Sequence, residues 1–96
     1  MPNRARYKFR LYVADGAPNS LLAIANLRAF CDEHLPERSE ISVVDVFKQP
    51  ERALADSVMM TPMLIKLAPG PPARVVGTLS DTATVLSALG LQARAA

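Results

Sequence analysis

Apolar and charged residues alternate near the start of the chain. Tyr7, Phe9, Leu11 and Val13 are apolar, and Lys8 and Arg10 stand between them. A period of two predicts a strand with one buried face. Asp15-Gly16-Ala17-Pro18 breaks that pattern, and the period then becomes helical. Leu21, Ile24, Leu27 and Cys31 predict a helix from Pro18 to His34, with Arg28, Asp32 and Glu33 largely off its apolar stripe. Leu35-Pro36 ends it, because the residue before a proline disfavours helical backbone. Ile41–Val46 is nearly continuous in Ile and Val, which predicts a central strand covered on both faces. A short helix from Pro50 to about Ser57 follows, with proline at its first position and Glu51 at the positive end of its dipole. Strands over Met63–Leu67 and Arg74–Leu79 flank the stiff connection Ala68-Pro69-Gly70-Pro71-Pro72. Ser80 reads as an N-cap with Asp81 in the first turn of a last helix over 80–89. Val85, Leu86 and Leu89 give that helix its apolar face, and Gly90 its stop.

The predicted order is therefore βαβαββα. Its first three elements make a right-handed βαβ unit and its last two strands a hairpin. With Pro62 just before the third strand, this order resembles the thioredoxin arrangement, an α/β fold. The resemblance implies a cis Thr61–Pro62 bond, and cis bonds are essentially confined to X-Pro.

Length and composition narrow the reading. The 96 residues suit one domain spanning 1–96. Half are hydrophobic and 21% charged, which excludes a disordered chain. Eleven basic against nine acidic residues leave a net charge of +2. Arg4, Arg6, Lys8 and Arg10 form a weak basic cluster without the dense stripe and interleaved aromatics of a nucleic-acid binder. No apolar run is long enough to cross a bilayer, and Met1-Pro2-Asn3-Arg4 opens no signal peptide. The expectation is a cytoplasmic chain.

Candidate chemistry is sparse. One cysteine, Cys31, rules out a disulfide within the chain. Ala17-Pro18-Asn19-Ser20 stands where thioredoxin-like redox proteins carry Cys-x-x-Cys, so no thiol is placed to attack a disulfide there. Cys31 on the helical stripe reads as a buried small hydrophobe. His34, the single histidine, sits at a helix end where it complements the dipole, and a lone His and Cys do not close a metal site. Asp45, Asp56 and Asp81 read as scattered carboxylates. Gly70 and Gly77 match no nucleotide-binding fingerprint. No cofactor is expected, and no enzyme.

The ordered motifs resemble one family. Leu11-Tyr12-Val13-Ala14 and Pro18-Asn19-Ser20 are followed by Asp45-Val46, Lys48, Pro50, Ala53, Asp56 and Thr61-Pro62. Leu64, Lys66, Pro69, Pro71, Arg74, Gly77, Leu79-Ser80-Asp81, Val85-Leu86 and Leu89 complete the series. Together they resemble the KaiB family of circadian-clock proteins, with the sensory domain of the kinase SasA a more distant relative. The resemblance implies a non-enzymatic protein that binds the N-terminal ATPase ring of a hexameric KaiC. KaiA and a SasA-like kinase are further implied partners. It also implies two folds: the thioredoxin-like monomer, which binds, and a βαββααβ form that assembles as tetramers.

The departures from the family are informative. Cyanobacterial clock members usually end in an acidic tail, unlike Arg94-Ala95-Ala96. Leu22, Ser42, Ser57 and Ala73 are neutral where those members are basic, whereas Lys66 and Arg74 remain as expected partner-binding residues. The chain thus resembles a divergent paralogue or a non-clock homologue of that family. Pro62, Pro69 and Pro71 are expected at the switch, with Ala88 and Gly90. Family members often carry Gly and Asp at those last two positions. Alanine exceeds glycine by about 1 kcal/mol in a helix interior, and Gly90 fits the position after a helix end. Both residues favour the thioredoxin-like monomer over the alternative fold.

Overall fold

The computed structural model describes residues 6–91. The Met1-Pro2-Asn3-Arg4 opening and the Arg94-Ala95-Ala96 end lie outside the described residues. The elements are β1 (Tyr7–Val13), α1 (Pro18–His34), β2 (Ser39–Asp45), α2 (Pro50–Ala55), β3 (Met63–Ala68), β4 (Ala73–Val76) and α3 (Thr82–Ala88). This is the thioredoxin-like βαβαββα order.

The sheet runs β2-β1-β3-β4. β1 pairs parallel with β2, Leu11 opposite Val43, and antiparallel with β3, Leu11 opposite Leu64. β3 pairs antiparallel with β4, Leu64 opposite Val75. Opposed residues share a face, so this register sorts the side chains into two layers. Phe9, Leu11, Leu64 and Val75 meet Ala23, Leu27 and Phe30 of α1 and Val85 and Leu86 of α3. Tyr12, Val44, Met63 and Ile65 meet Ala53 of α2 on the other side. Fully burying a residue such as Leu27 or Leu64 contributes roughly 1.5–3 kcal/mol.

Three expectations about the strands change. β2 is an edge strand and not a central one, because the hairpin β3–β4 joins the far side of β1. Val44 is buried under the α2 layer, but Val43, on the opposite face, is half-exposed. An apolar run does not itself distinguish edge from centre. β1 in turn buries residues on both faces: Phe9 and Leu11 on one, Tyr12 on the other. β4 stops at Val76, three residues short of Leu79, because Gly77 (φ 112°) and Leu79 (φ 63°) turn the chain out of extended backbone.

Local signals account for the helix ends. Pro18 opens α1 at a position where no N–H donor is needed, and Ser20 Oγ accepts the Ala14 N–H at 3.0 Å. The buried stripe of α1 is Ser20, Ala23, Leu27, Phe30 and Cys31. It is rotated from the expected one, leaving Leu21 exposed. The cap of α3 is Asp81 and not Ser80. The Asp81 carboxylate accepts the Thr84 N–H, while the Ser80 hydroxyl pairs with that of Thr78. At the other end Gly90 takes φ 74°; its N–H meets the Ser87 carbonyl at 3.1 Å and the Leu91 N–H meets the Leu86 carbonyl at 2.8 Å. These two bonds form a Schellman motif, which needs the left-handed residue that glycine supplies at least cost.

Candidate functional site

The position that carries a dithiol in redox relatives of this fold is occupied by Ala17-Pro18-Asn19-Ser20 at the start of α1. Ser20 is buried and its hydroxyl is committed to the backbone. Cys31 lies eleven residues beyond Ser20 along α1, 3% exposed among the apolar core residues. Burial pushes its thiol pKa up, against an opposing contact from Ser39. A buried thiol held protonated is a poor nucleophile. No turnover of insulin disulfides is therefore expected, and turnover abolished by Cys31→Ser would contradict this reading.

The α2 side of the sheet carries a polar cluster centred on Asp56. Tyr12 Oη donates to Asp56 Oδ2 and lies 3.1 Å from the Arg52 carbonyl. Arg10 Nη1 reaches the same carboxylate oxygen at 2.9 Å. Arg74 Nη2 donates to the Asp56 carbonyl, and Arg74 Nη1 lies 3.5 Å from that of Ser57. The Tyr12 phenol and the Arg10 guanidinium hold the Asp56 carboxyl below the usual carboxylate range. Burial and the neighbouring carboxylate push the Tyr12 phenol up. The cluster ties the end of α2 to β1 and β4. Its carboxylate is taken up by Tyr12 and Arg10, with only the Arg10 Nε left without a partner among the described residues, which suits an architectural role more than a reaction.

Nothing in the sequence sets Asp56 apart from other scattered carboxylates. Its partners lie 46, 44 and 18 residues away along the chain, so no local spacing marks them. The period-two pattern of β1 held a weak signal. Arg10 and Tyr12 both fall on the face opposite Leu11, and Tyr12 is fully buried there.

Lys66 and Arg74 do not meet. Lys66 stands opposite Phe9 and Ala73, on the face covered by α1 and α3, and is 7% exposed. Arg74 stands opposite Ile65 on the α2 face. The two positions therefore report on different environments, and charge changes there are informative only when made singly. Pro62 is buried, and its carbonyl accepts the Gly77 N–H at 2.9 Å. Thr61–Pro62 is cis, as the fold resemblance implied, and Ala68–Pro69 is cis as well. Pro71 is exposed in the β3–β4 connection. Ala88 ends α3 and packs half-buried against the core, and Gly90 follows in the Schellman turn.

One end of the sheet is apolar and open. β1 and β2 end there at Val13 and Asp45, β3 begins there at Met63, and β4 ends there at Val76. The segments that leave this end expose Leu21 and Leu22 at the start of α1, Phe47 before α2, and Met59 and Met60 before β3. Phe47 is 72% and Met59 87% exposed. Large side chains left in water at one end of an α/β sheet mark it as a place for contact. Periodicity gives no sign of this, because these residues sit in turns and first turns.

Comparison with known proteins places this geometry. Residues 10–91 match the KaiB domain family. The chain is 39% identical over 94 residues to the circadian clock protein KaiB3 of Synechocystis sp., covering 93% of this chain and 92% of that protein. It is 40% identical over 91 residues to the circadian clock oscillator protein KaiB of Prochlorococcus marinus strain MIT 9312, covering 95% and 87%. In fold, it resembles the N-terminal domain of Synechococcus elongatus SasA with a TM-score of 0.74 at 20% identity, covering 100% of this chain and 94% of that one. A chloroplastic thioredoxin z aligns with a TM-score of 0.73 at 18% identity, covering 91% of this chain and 78% of that one.

Proposed function

This chain belongs to the KaiB family, and from that premise we propose that it is a non-enzymatic clock-type protein that docks on the N-terminal ATPase ring of a KaiC-type hexamer. The observation that carries the reading is the family match across residues 10–91. The replacement of the dithiol by Ala17-Pro18-Asn19-Ser20 and the burial of Cys31 support a binding role over a redox one. The thioredoxin-like monomer is the binding state, and KaiA or a SasA-like kinase are secondary partners. The protein works in the cytoplasm; among the described residues no helix is long and apolar enough to cross a membrane.

The docking face is the open end of the sheet, where Phe47, Met59 and Met60 present apolar surface. Arg74 lies on the adjoining α2 face, and Lys66, largely buried on the opposite face, is the second basic position proposed for partner contact. Titration against a KaiC-type hexamer, followed by sedimentation, tests the reading. Wild-type protein should bind. Phe47→Ser combined with Met59→Ser should weaken binding at least about tenfold, as expected when exposed anchors of an interface are truncated. Their thermal unfolding should be unchanged, because neither side chain is in the core. Absence of binding by the wild type would overturn the partner, and unchanged affinity of the double variant would overturn the face.

A further inference from the structure

The junction between β4 and α3 is built in an unfavourable backbone. Leu79 has φ 63°, a left-handed conformation that costs a residue with a Cβ roughly 1–2 kcal/mol. Its side chain is nevertheless 9% exposed and belongs to the core with Val75, Val85 and Leu86. Gly77, two residues earlier, is also at positive φ. Between them, Thr78 is held from α1: Asn26 Nδ2 donates to the Thr78 carbonyl at 2.8 Å, across 52 residues of sequence. The Gly77 N–H is pinned to the Pro62 carbonyl. A shallow surface depression of about 160 Å³, lined in part by Thr78, Leu79, Ser80, Thr84 and Val85, lies against the junction. It opens to solvent, while Leu79 and Val85 beneath it remain buried.

We propose that Asn26 is a latch that holds this strained junction closed, so that α3 opens from the domain by release of the Asn26–Thr78 bond and relaxation of Leu79. The inference is independent of the partner proposed above. Its physical basis is a difference between two states. In the closed state the backbone of Leu79 is strained and its side chain buried, and one side-chain hydrogen bond spans the gap from α1. In the open state the strain is relieved and that bond is lost. Strain of this kind persists only where the surroundings over-determine it. Here those surroundings are Asn26, the Gly77–Pro62 bond and the apolar pocket for Leu79. Opening in this way breaks no strand pairing but exposes Val85, Leu86 and Leu89, whereas releasing β1 requires loss of both of its strand pairings.

Native-state hydrogen exchange on the full chain tests the latch. In the wild type, the amides of Val85 and Leu89, which bond within α3 to Asp81 and Val85, should exchange faster than that of Leu11 and with weaker denaturant dependence. Asn26→Asp keeps the size of the side chain but cannot donate. It should speed exchange at Val85 and Leu89 by about tenfold, as loss of one hydrogen bond predicts. Exchange of α3 only by global unfolding, or no acceleration in Asn26→Asp, would overturn the proposal. A second pair tests the strain without touching Asn26. Leu79→Ala and Leu79→Gly remove nearly the same buried group, but only glycine tolerates the left-handed backbone. Leu79→Gly should therefore be the more stable, by about 5- to 30-fold in the unfolding constant. The usual order, alanine above glycine, would show that no strain is held there.

Discussion

Replacing Asp56 with Asn is expected to lower the free energy of unfolding at neutral pH by about 2 kcal/mol, within the range for losing hydrogen bonds to a charged group. The Asp56 carboxylate takes Tyr12 and Arg10 together, and its backbone carbonyl takes Arg74. Asparagine keeps the shape but removes the charge that Arg10 faces, in a site where both side chains are only about one quarter exposed, at 26% and 27%. The Arg10 Nε already has no partner among the described residues, so the cluster has no spare acceptor for it. The effect should depend on pH. The folded protein holds the Asp56 carboxyl below its ordinary value. A carboxyl lowered in this way stabilises the fold fully above the unfolded-state pKa, near ~3.9, and loses that contribution as pH falls through the lower folded value. Asp81, held low by Thr84 at the start of α3, acts in the same direction and is retained in the variant. Urea midpoints measured from pH 7 downward should show the gap between wild type and Asp56→Asn closing below about pH 4. A gap that stays constant into strong acid would mean that the charge of Asp56 does not matter.

Ala88→Gly combined with Gly90→Asp should weaken α3 by a comparable amount, about 2 kcal/mol summed over two separate causes. Glycine in the last turn of a helix loses the conformational advantage of alanine. Asp at position 90 must adopt φ 74°, and a Cβ built there meets no atom within 4 Å, so its whole cost is backbone strain. The Schellman bonds from Gly90 and Leu91 back to Ser87 and Leu86 would weaken with it. Were the βαββααβ form accessible to this chain, a bias of that size would change the populations by about thirtyfold. We expect residues 82–88 to lose helical backbone chemical shifts and sedimentation to show a growing tetramer. Unchanged shifts and a persistent monomer would separate α3 from the choice of fold.

The elements are legible in short stretches of the chain. Alternation at Tyr7–Val13 reads as a strand because successive side chains of a strand face opposite ways. Pro18 and Pro50 mark helix starts, and Gly90 a helix stop, through dihedral preferences that act within a few residues. The fold class followed, since a βαβ unit and a hairpin admit few arrangements. The missing dithiol at Ala17–Ser20 was equally legible, because it is a matter of which atoms are present. The ordered motifs also carried the family. Tertiary structure decided what depends on neighbours distant in sequence. β2 became an edge because the hairpin docked on the other side of β1. Lys66 and Arg74 became buried and exposed, on opposite faces, because one residue of register separates the strand positions they occupy. Asp81 displaced Ser80 as the cap because the turn through Gly77 and Leu79 sets where α3 begins. Asp56 gained its partners, and Asn26 its hold on Thr78, only when segments far apart in the chain were packed together. Propensity is a property of a few adjacent residues. Pairing across the sheet is a property of the whole chain, and no local pattern encodes it.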